Sequence, residues 1–138
     1  MLDMVGITAP TVAQKWMVIM VPVNSKQKGK RFELEVTNAL KAEGYNAHRS
    51  AQYAGNTGEA ADVVGLPGIH IEAKRQEQLR LYEWMAQAVR DAKAAGRGDL
   101  PAVFFRKSNE AMMVAMRFED WIKIYKEYEA QEAMNEDQ

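Results

Sequence analysis

The chain has 138 residues and a net charge of −1, and its hydrophobic and charged fractions, 47% and 27%, are those of an ordinary globular domain. It has no cysteine, which excludes disulfides, zinc–thiolate centres and a thiol nucleophile. Two histidines, His48 and His70, are too few for a histidine-rich metal site, so any metal is expected on oxygen ligands, which favours magnesium or manganese. Residues 126–138 carry five acids against Lys126 alone, which leaves the middle of the chain, 24–125, net positive. Within it Lys26, Lys28, Lys30 and Arg31 crowd together. Such a patch can meet phosphates without a high overall pI, although a solvated helix start looks the same.

Residues 1–23 read as an N-terminal extension with no assigned role. Its apolar run, Trp16 to Val21, is far too short to span a bilayer and lacks the flanks of a secretory signal. From Asn24-Ser25, a plausible N-cap, the pattern predicts a helix to about Glu43, closed by Gly44. Phe32, Val36, Ala39, Leu40 and Glu43 fall near one stripe of it. Glu33 and Glu35 border opposite edges of that stripe, and spacing does not choose between them. Tyr45 to Gln52 reads as a strand carrying Arg49, and Tyr53 to Glu59 as a turn-rich loop. After a hairpin over Asp62–Lys74, a helix is predicted from Glu77 to about Ala95. Its stripe is Leu81, Met85, Ala88, Val89 and Ala92, with Gln87 off it. Leu100 to Arg106 is a strand apolar enough to be buried on both faces. Met112 to Arg117 is a further strand, and Phe118 opens a helix to about Tyr128 with acids in its first turn. The acidic end, 129–138, is expected to fray. The order α-β-β-β-α-β-β-α predicts one α/β domain over 24–128, a central mixed β-sheet flanked by helices on both sides.

Chemistry concentrates in the hairpin, Asp-Val-Val-Gly-Leu-Pro-Gly-Ile-His-Ile-Glu-Ala-Lys. On its second strand Ile69, Ile71 and Ala73 share one face, and His70, Glu72 and Lys74 the other. Asp62 opens the partner strand. Two acids and a lysine beside an apolar strand are costly unless they bind something. A hard divalent cation on the carboxylates, with the lysine near a water or a phosphate, would offset that cost. One parity condition makes this testable. Were Gly65-Leu66-Pro67-Gly68 a plain four-residue turn, Asp62 would face Ile71 and the carboxylates would lie on opposite faces. An odd loop or a bulge is therefore expected.

Asp62…Glu72-Ala73-Lys74 resembles the Asp…Glu-x-Lys core of the PD-(D/E)xK nuclease superfamily, with Ala61 in place of its Pro. Lys28-Gly29-Lys30-Arg31-Phe32-Glu33 is similar to the opening of archaeal-type Holliday-junction resolvases and their phage-encoded relatives. The resemblance, over about residues 26–120, implies a restriction-endonuclease-like fold. It also selects Glu33 over Glu35 as a third acid of the metal site. Arg49 resembles the family's basic residue ahead of the substrate loop, and Gln87 a glutamine frequent on the helix after Glu-x-Lys. The family's loop Ser-Gly stands here as Ala54-Gly55.

The resemblance implies magnesium-dependent cleavage of DNA, with manganese as a possible substitute. Glu33, Asp62, Glu72 and the Ala73 carbonyl are the expected metal ligands, and Glu33, Asp62, Glu72, Lys74 and Gln87 the catalytic set. Lys26, Lys28, Lys30, Arg31, Arg49 and Arg75 are candidate DNA contacts. Symmetric cleavage of a four-way junction calls for a two-fold dimer, for which Met112, Met113 and Met116 or the Trp16–Val21 stretch could supply apolar surface. The expected place is the cytoplasm, that of the host if the gene is phage-borne. Two other readings stand beside junction resolution. One is a restriction-like, flap or repair nuclease of the same superfamily; the other is a non-catalytic DNA-binding module. Each residue also has a plainer reading: Lys74 guarding a strand edge, Gln87 on a helix surface, Arg49 pairing with a helix acid.

Overall fold

The computed structural model describes residues 2–4, 7–8, 25–50 and 61–137. A small antiparallel pair, β1 (Leu2–Met4) and β2 (Ile7–Thr8), forms a sheet of its own. The main body runs α1 (Ser25–Ala42), β3 (His48–Arg49), β4 (Val63–Val64), β5 (Ile69–Arg75), α2 (Leu81–Ala95), β6 (Leu100–Arg106), β7 (Met113–Ala115) and α3 (Phe118–Glu136). Five strands pair in the order β3-β4-β5-β6-β7; β5 and β6 are parallel and the other pairs antiparallel. This is the mixed sheet expected from the element order.

Side-chain alternation along β6 divides the core in two. Ala102 and Phe104 pack with Phe32 and Val36 of α1 and with Val63 and Ile71. Val103 and Phe105 pack with Trp84 and Ala88 of α2. Neighbouring strand residues point to opposite faces, so α1 and α2 cover the two sides of the sheet. Pro101 to Phe105 are all buried, as the unbroken apolar run requires. On β5 the same rule sends Ile71 and Ala73 toward α1, and His70, Glu72 and Lys74 toward α2.

Element ends differ from the sequence reading for physical reasons. Ala39 of α1 is exposed and Thr37 takes a buried place, its hydroxyl donating to the Glu33 carbonyl at 2.7 Å. The second helix starts at Leu81, not Glu77, because Glu77 is engaged by Arg75 and Ser108. Trp84, absent from the predicted stripe, is buried against Phe105 with ring centroids 6.2 Å apart. The last helix continues to Glu136 rather than ending near Tyr128, since Glu-Ala-Gln-Glu-Ala-Met is a sequence of good helix formers. The Trp16–Val21 stretch and the Tyr53–Glu59 loop lie outside the described residues.

Candidate active site

The hairpin meets the parity condition. Val63, not Asp62, is registered opposite Ile71, yet the Asp62 amide also donates to the Ile71 carbonyl at 2.9 Å. Counted outward from Val63 and Ile71, Asp62 falls opposite Glu72, so the connection is an odd one and no plain four-residue turn. The loop that allows it depends on Gly65, whose φ is +105° and where a Cβ would run into the Asn46 carbonyl oxygen. As a result Asp62 turns to the same side as Glu72. The Ala73 amide donates to Asp62 Oδ2 at 2.8 Å, which fixes the carboxylate at the end of the strand pair.

Asp62 and Glu72 both line one cleft, close enough for their charges to interact, and Glu72 is 2% exposed. Burial first, and then the neighbouring Glu72 charge, push the Asp62 carboxyl up to about 6. The Glu33 carboxyl is also raised, by burial and then by Asp62, against the opposing pull of Arg49. Lys74 Nζ donates to Gln87 Oε1 at 3.0 Å, so the glutamine off the apolar stripe of α2 steers the lysine. Glu33, Asp62, Glu72, Ala73, Lys74 and Gln87 all line a single cleft of about 630 Å³. Lys26, Lys28, Lys30 and Arg75 form part of its wall.

The two acids of α1 that periodicity left equivalent have separate fates. Glu33 reaches the cleft and accepts from Arg49 Nε at 3.1 Å. Glu35 is held by the Arg106 fork, at 2.7 and 2.8 Å, with the guanidinium 6.0 Å from the Phe32 ring centroid. The hydrogen bond from Arg106 holds the Glu35 carboxyl below its usual range.

The expected DNA contacts are not all alike. Arg31 is exposed and outside the cleft lining. Arg49 is drawn into the ion pair with Glu33. Arg75 is committed to Glu77 and Ser108. Glu77 also meets Lys28 at 3.5 Å and accepts from the Ser108 amide. The Arg75 hydrogen bond leads in lowering the Glu77 carboxyl to about 2.

A family model described as "Phage putative PDDEXK endonuclease" matches residues 24–137. The chain belongs to this PDDEXK endonuclease family. Among solved structures it is similar to Hjc of Archaeoglobus fulgidus, described as a Holliday junction resolvase from an archaeal hyperthermophile. The identity is 26% and the TM-score 0.50, over 64% of this chain and 72% of that one. A search of curated protein sequences finds no match. This PDDEXK endonuclease is therefore a nuclease with a restriction-endonuclease-like fold. Among the described residues, no helix is long and apolar enough to cross a membrane.

One group in the endonuclease escaped sequence reasoning. His70, Glu72 and Asp91 bring ligand atoms within 4.8 Å of one another and could hold a metal ion. Glu33, Asp62 and Glu72 do not close into such a set. Unlike the oxygen-only set expected from composition, this group includes a histidine. Its signal was present, since His70 shares the strand parity of Glu72, and Asp91 lies one helical turn beyond Gln87.

Proposed function

We propose that this PDDEXK endonuclease hydrolyses DNA phosphodiester bonds with a divalent cation, magnesium or manganese, and that its substrate is the four-way junction. The observation that carries the reading is one cleft holding the Asp62 and Glu72 carboxylates, a glutamine-steered lysine and a lysine-bearing wall. The donor set suits a hard cation. Burial first, and then the charge of Glu72, raises the Asp62 pKa, and a cation between the two carboxylates would offset both.

Asp62 and Glu72 would bind the ion through their oxygens. The Ala73 carbonyl is a fitting further ligand, because a strand residue's amide and carbonyl point to the same side and this amide already points at Asp62. Glu33, farther out, would take a second ion or an ordered water. A bound cation would supply charge stabilisation of the transferring phosphoryl group and a lowered pKa for its water. Lys74, aimed by Gln87, orients the attacking water or neutralises the scissile phosphate. Lys26, Lys28 and Lys30 hold the DNA backbone without reading its sequence.

Junction cleavage on both strands needs two copies of the cleft. Met112 and Met116 pack against the core and are poorly placed to pair two chains. Met113 and Val114 on edge strand β7 and Phe118, Trp121, Tyr125 and Tyr128 on α3 are exposed. That apolar surface would supply a two-fold interface. Support for the junction as substrate comes from the likeness to the archaeal resolvase.

The test is a set of synthetic DNAs incubated with Mg²⁺: four-way junction, flap, nicked duplex and linear duplex. Paired, symmetric nicks in the junction with linear duplex spared support the reading. Equal cutting of linear duplex would move the enzyme to the restriction-like or repair class. No cleavage of any substrate would leave a DNA-binding module.

A further inference from the structure

Behind the cleft, between β5 and α2, the His70 side chain is 3% exposed. Its Nε2 stands 3.5 Å from Glu72 Oε1 and has no hydrogen-bond partner among the described residues. A buried polar atom left without a partner costs free energy, and native proteins seldom keep one without a reason. Asp91, on α2, completes the group, with all three ligand atoms within 4.8 Å of one another. We propose that His70, Glu72 and Asp91 form a second divalent-ion site, distinct from the Asp62–Glu72 cleft and selective for ions that accept nitrogen, namely Zn²⁺, Mn²⁺ or Co²⁺.

Geometry and charge agree. Donors about 2.05 Å from a tetrahedral ion lie about 3.4 Å apart, close to the 3.5 Å between His70 Nε2 and Glu72 Oε1. Two carboxylates beside an imidazole match a doubly charged ion. Magnesium prefers oxygen donors, whereas imidazole suits zinc and its neighbours. Of the three, His70 also borders a separate cavity of about 490 Å³ that Arg97 and Asp99 help to line. The ion would tie β5 to α2 one helical turn from Gln87, and so behind the Lys74–Gln87 hydrogen bond. Glu72 is shared between the two sites; to that extent the inference rests on the nuclease reading, but the new site requires no cleavage.

The test exploits the presence of only two histidines. Wild-type protein is saturated with Mn²⁺ and examined by pulsed electron paramagnetic resonance for nitrogen coupling to the ion. Coupling is expected in wild type, in His48→Gln and in Asp62→Asn, and is expected to vanish in His70→Gln. In parallel, Zn²⁺ affinity should fall by at least about tenfold in His70→Gln and in Asp91→Asn. Wild type without nitrogen coupling overturns the proposal, and that reading needs no variant to fold. Coupling lost in His48→Gln but retained in His70→Gln overturns it equally. Loss of DNA cleavage in Asp62→Asn with coupling intact keeps the two sites separate. Coupling in a protein that cleaves no DNA would fail the nuclease reading and leave this one standing.

Discussion

In the metal-free protein the Asp62 carboxyl is held up to about 6 by burial and by Glu72, against 3.8 for an ordinary aspartate. A raised acid pKa in the fold means that folding favours the protonated form. Its stabilising effect is complete below about pH 4 and is lost as pH rises through about 6, a change of about 3 kcal/mol. Glu33, also raised, acts in the same direction. Chemical denaturation in EDTA should therefore show wild type losing stability between about pH 4 and pH 6, with Asp62→Asn losing much less. Added Mg²⁺ should restore wild type at pH 7 and leave Asp62→Asn unchanged. At the same scale, Glu33→Gln and Glu35→Gln should part company. The first is expected to lower DNA cleavage by about 10²-fold or more. The second removes a half-exposed ion pair, costs at most about 1 kcal/mol of stability and spares activity. Gln87→Ala should slow cleavage by about 10- to 100-fold without changing the melting temperature by more than a few degrees, because it frees Lys74 and removes little packing.

At the scale of elements, the hairpin decides whether a site exists. Gly65→Ala would place a Cβ against the Asn46 carbonyl and force a left-handed backbone on alanine, so it should cost more than about 1 kcal/mol and lower activity by shifting Asp62 from its place opposite Glu72. Denaturant midpoint and cleavage rate, measured together, check this. Much of the element pattern was legible in the chain. The alternation on β5, the apolar run of β6 and the closure of α2 at Gly96 each follow from local chemistry. The need for an odd loop or a bulge could be stated from parity alone, because two carboxylates had to share a face. Glu77 was misread as helical because its partners, Arg75, Lys28 and Ser108, are gathered only by the fold. The choice between Glu33 and Glu35 lay beyond periodicity for the same reason: it turns on Arg106, at the far end of β6. His70 and Asp91 met only once α2 was laid across β5, although the parity of each was visible.

For the whole molecule, charge is arranged by region. The lysine-bearing wall of the cleft lies on α1, while the acids of α3 lie in the last part of the chain. Binding to any DNA that enters the cleft should weaken as salt rises, and replacing Lys26 or Lys30 by Ala should lower the slope of log K against log salt by about 1 each. Along α3 the rings of Phe118, Trp121, Tyr125 and Tyr128 run in a ladder with successive centroids 6.3, 5.4 and 6.0 Å apart. Such a run on the surface is costly in a monomer. For the two-fold dimer proposed above, Trp121→Lys with Tyr125→Lys is expected to halve the particle mass in sedimentation and abolish paired nicking, while single nicks persist.

The central claim is that Asp62, Glu72 and Lys74 act together on a phosphodiester in one cleft. Cleavage of a synthetic four-way junction by wild type and Asp62→Asn, with and without Mg²⁺, tests it most directly. Paired nicks are expected from wild type only when the ion is present, and a loss of about 10³-fold in Asp62→Asn with junction binding retained. Cleavage by Asp62→Asn at the wild-type rate, or cleavage by wild type in EDTA, would contradict it.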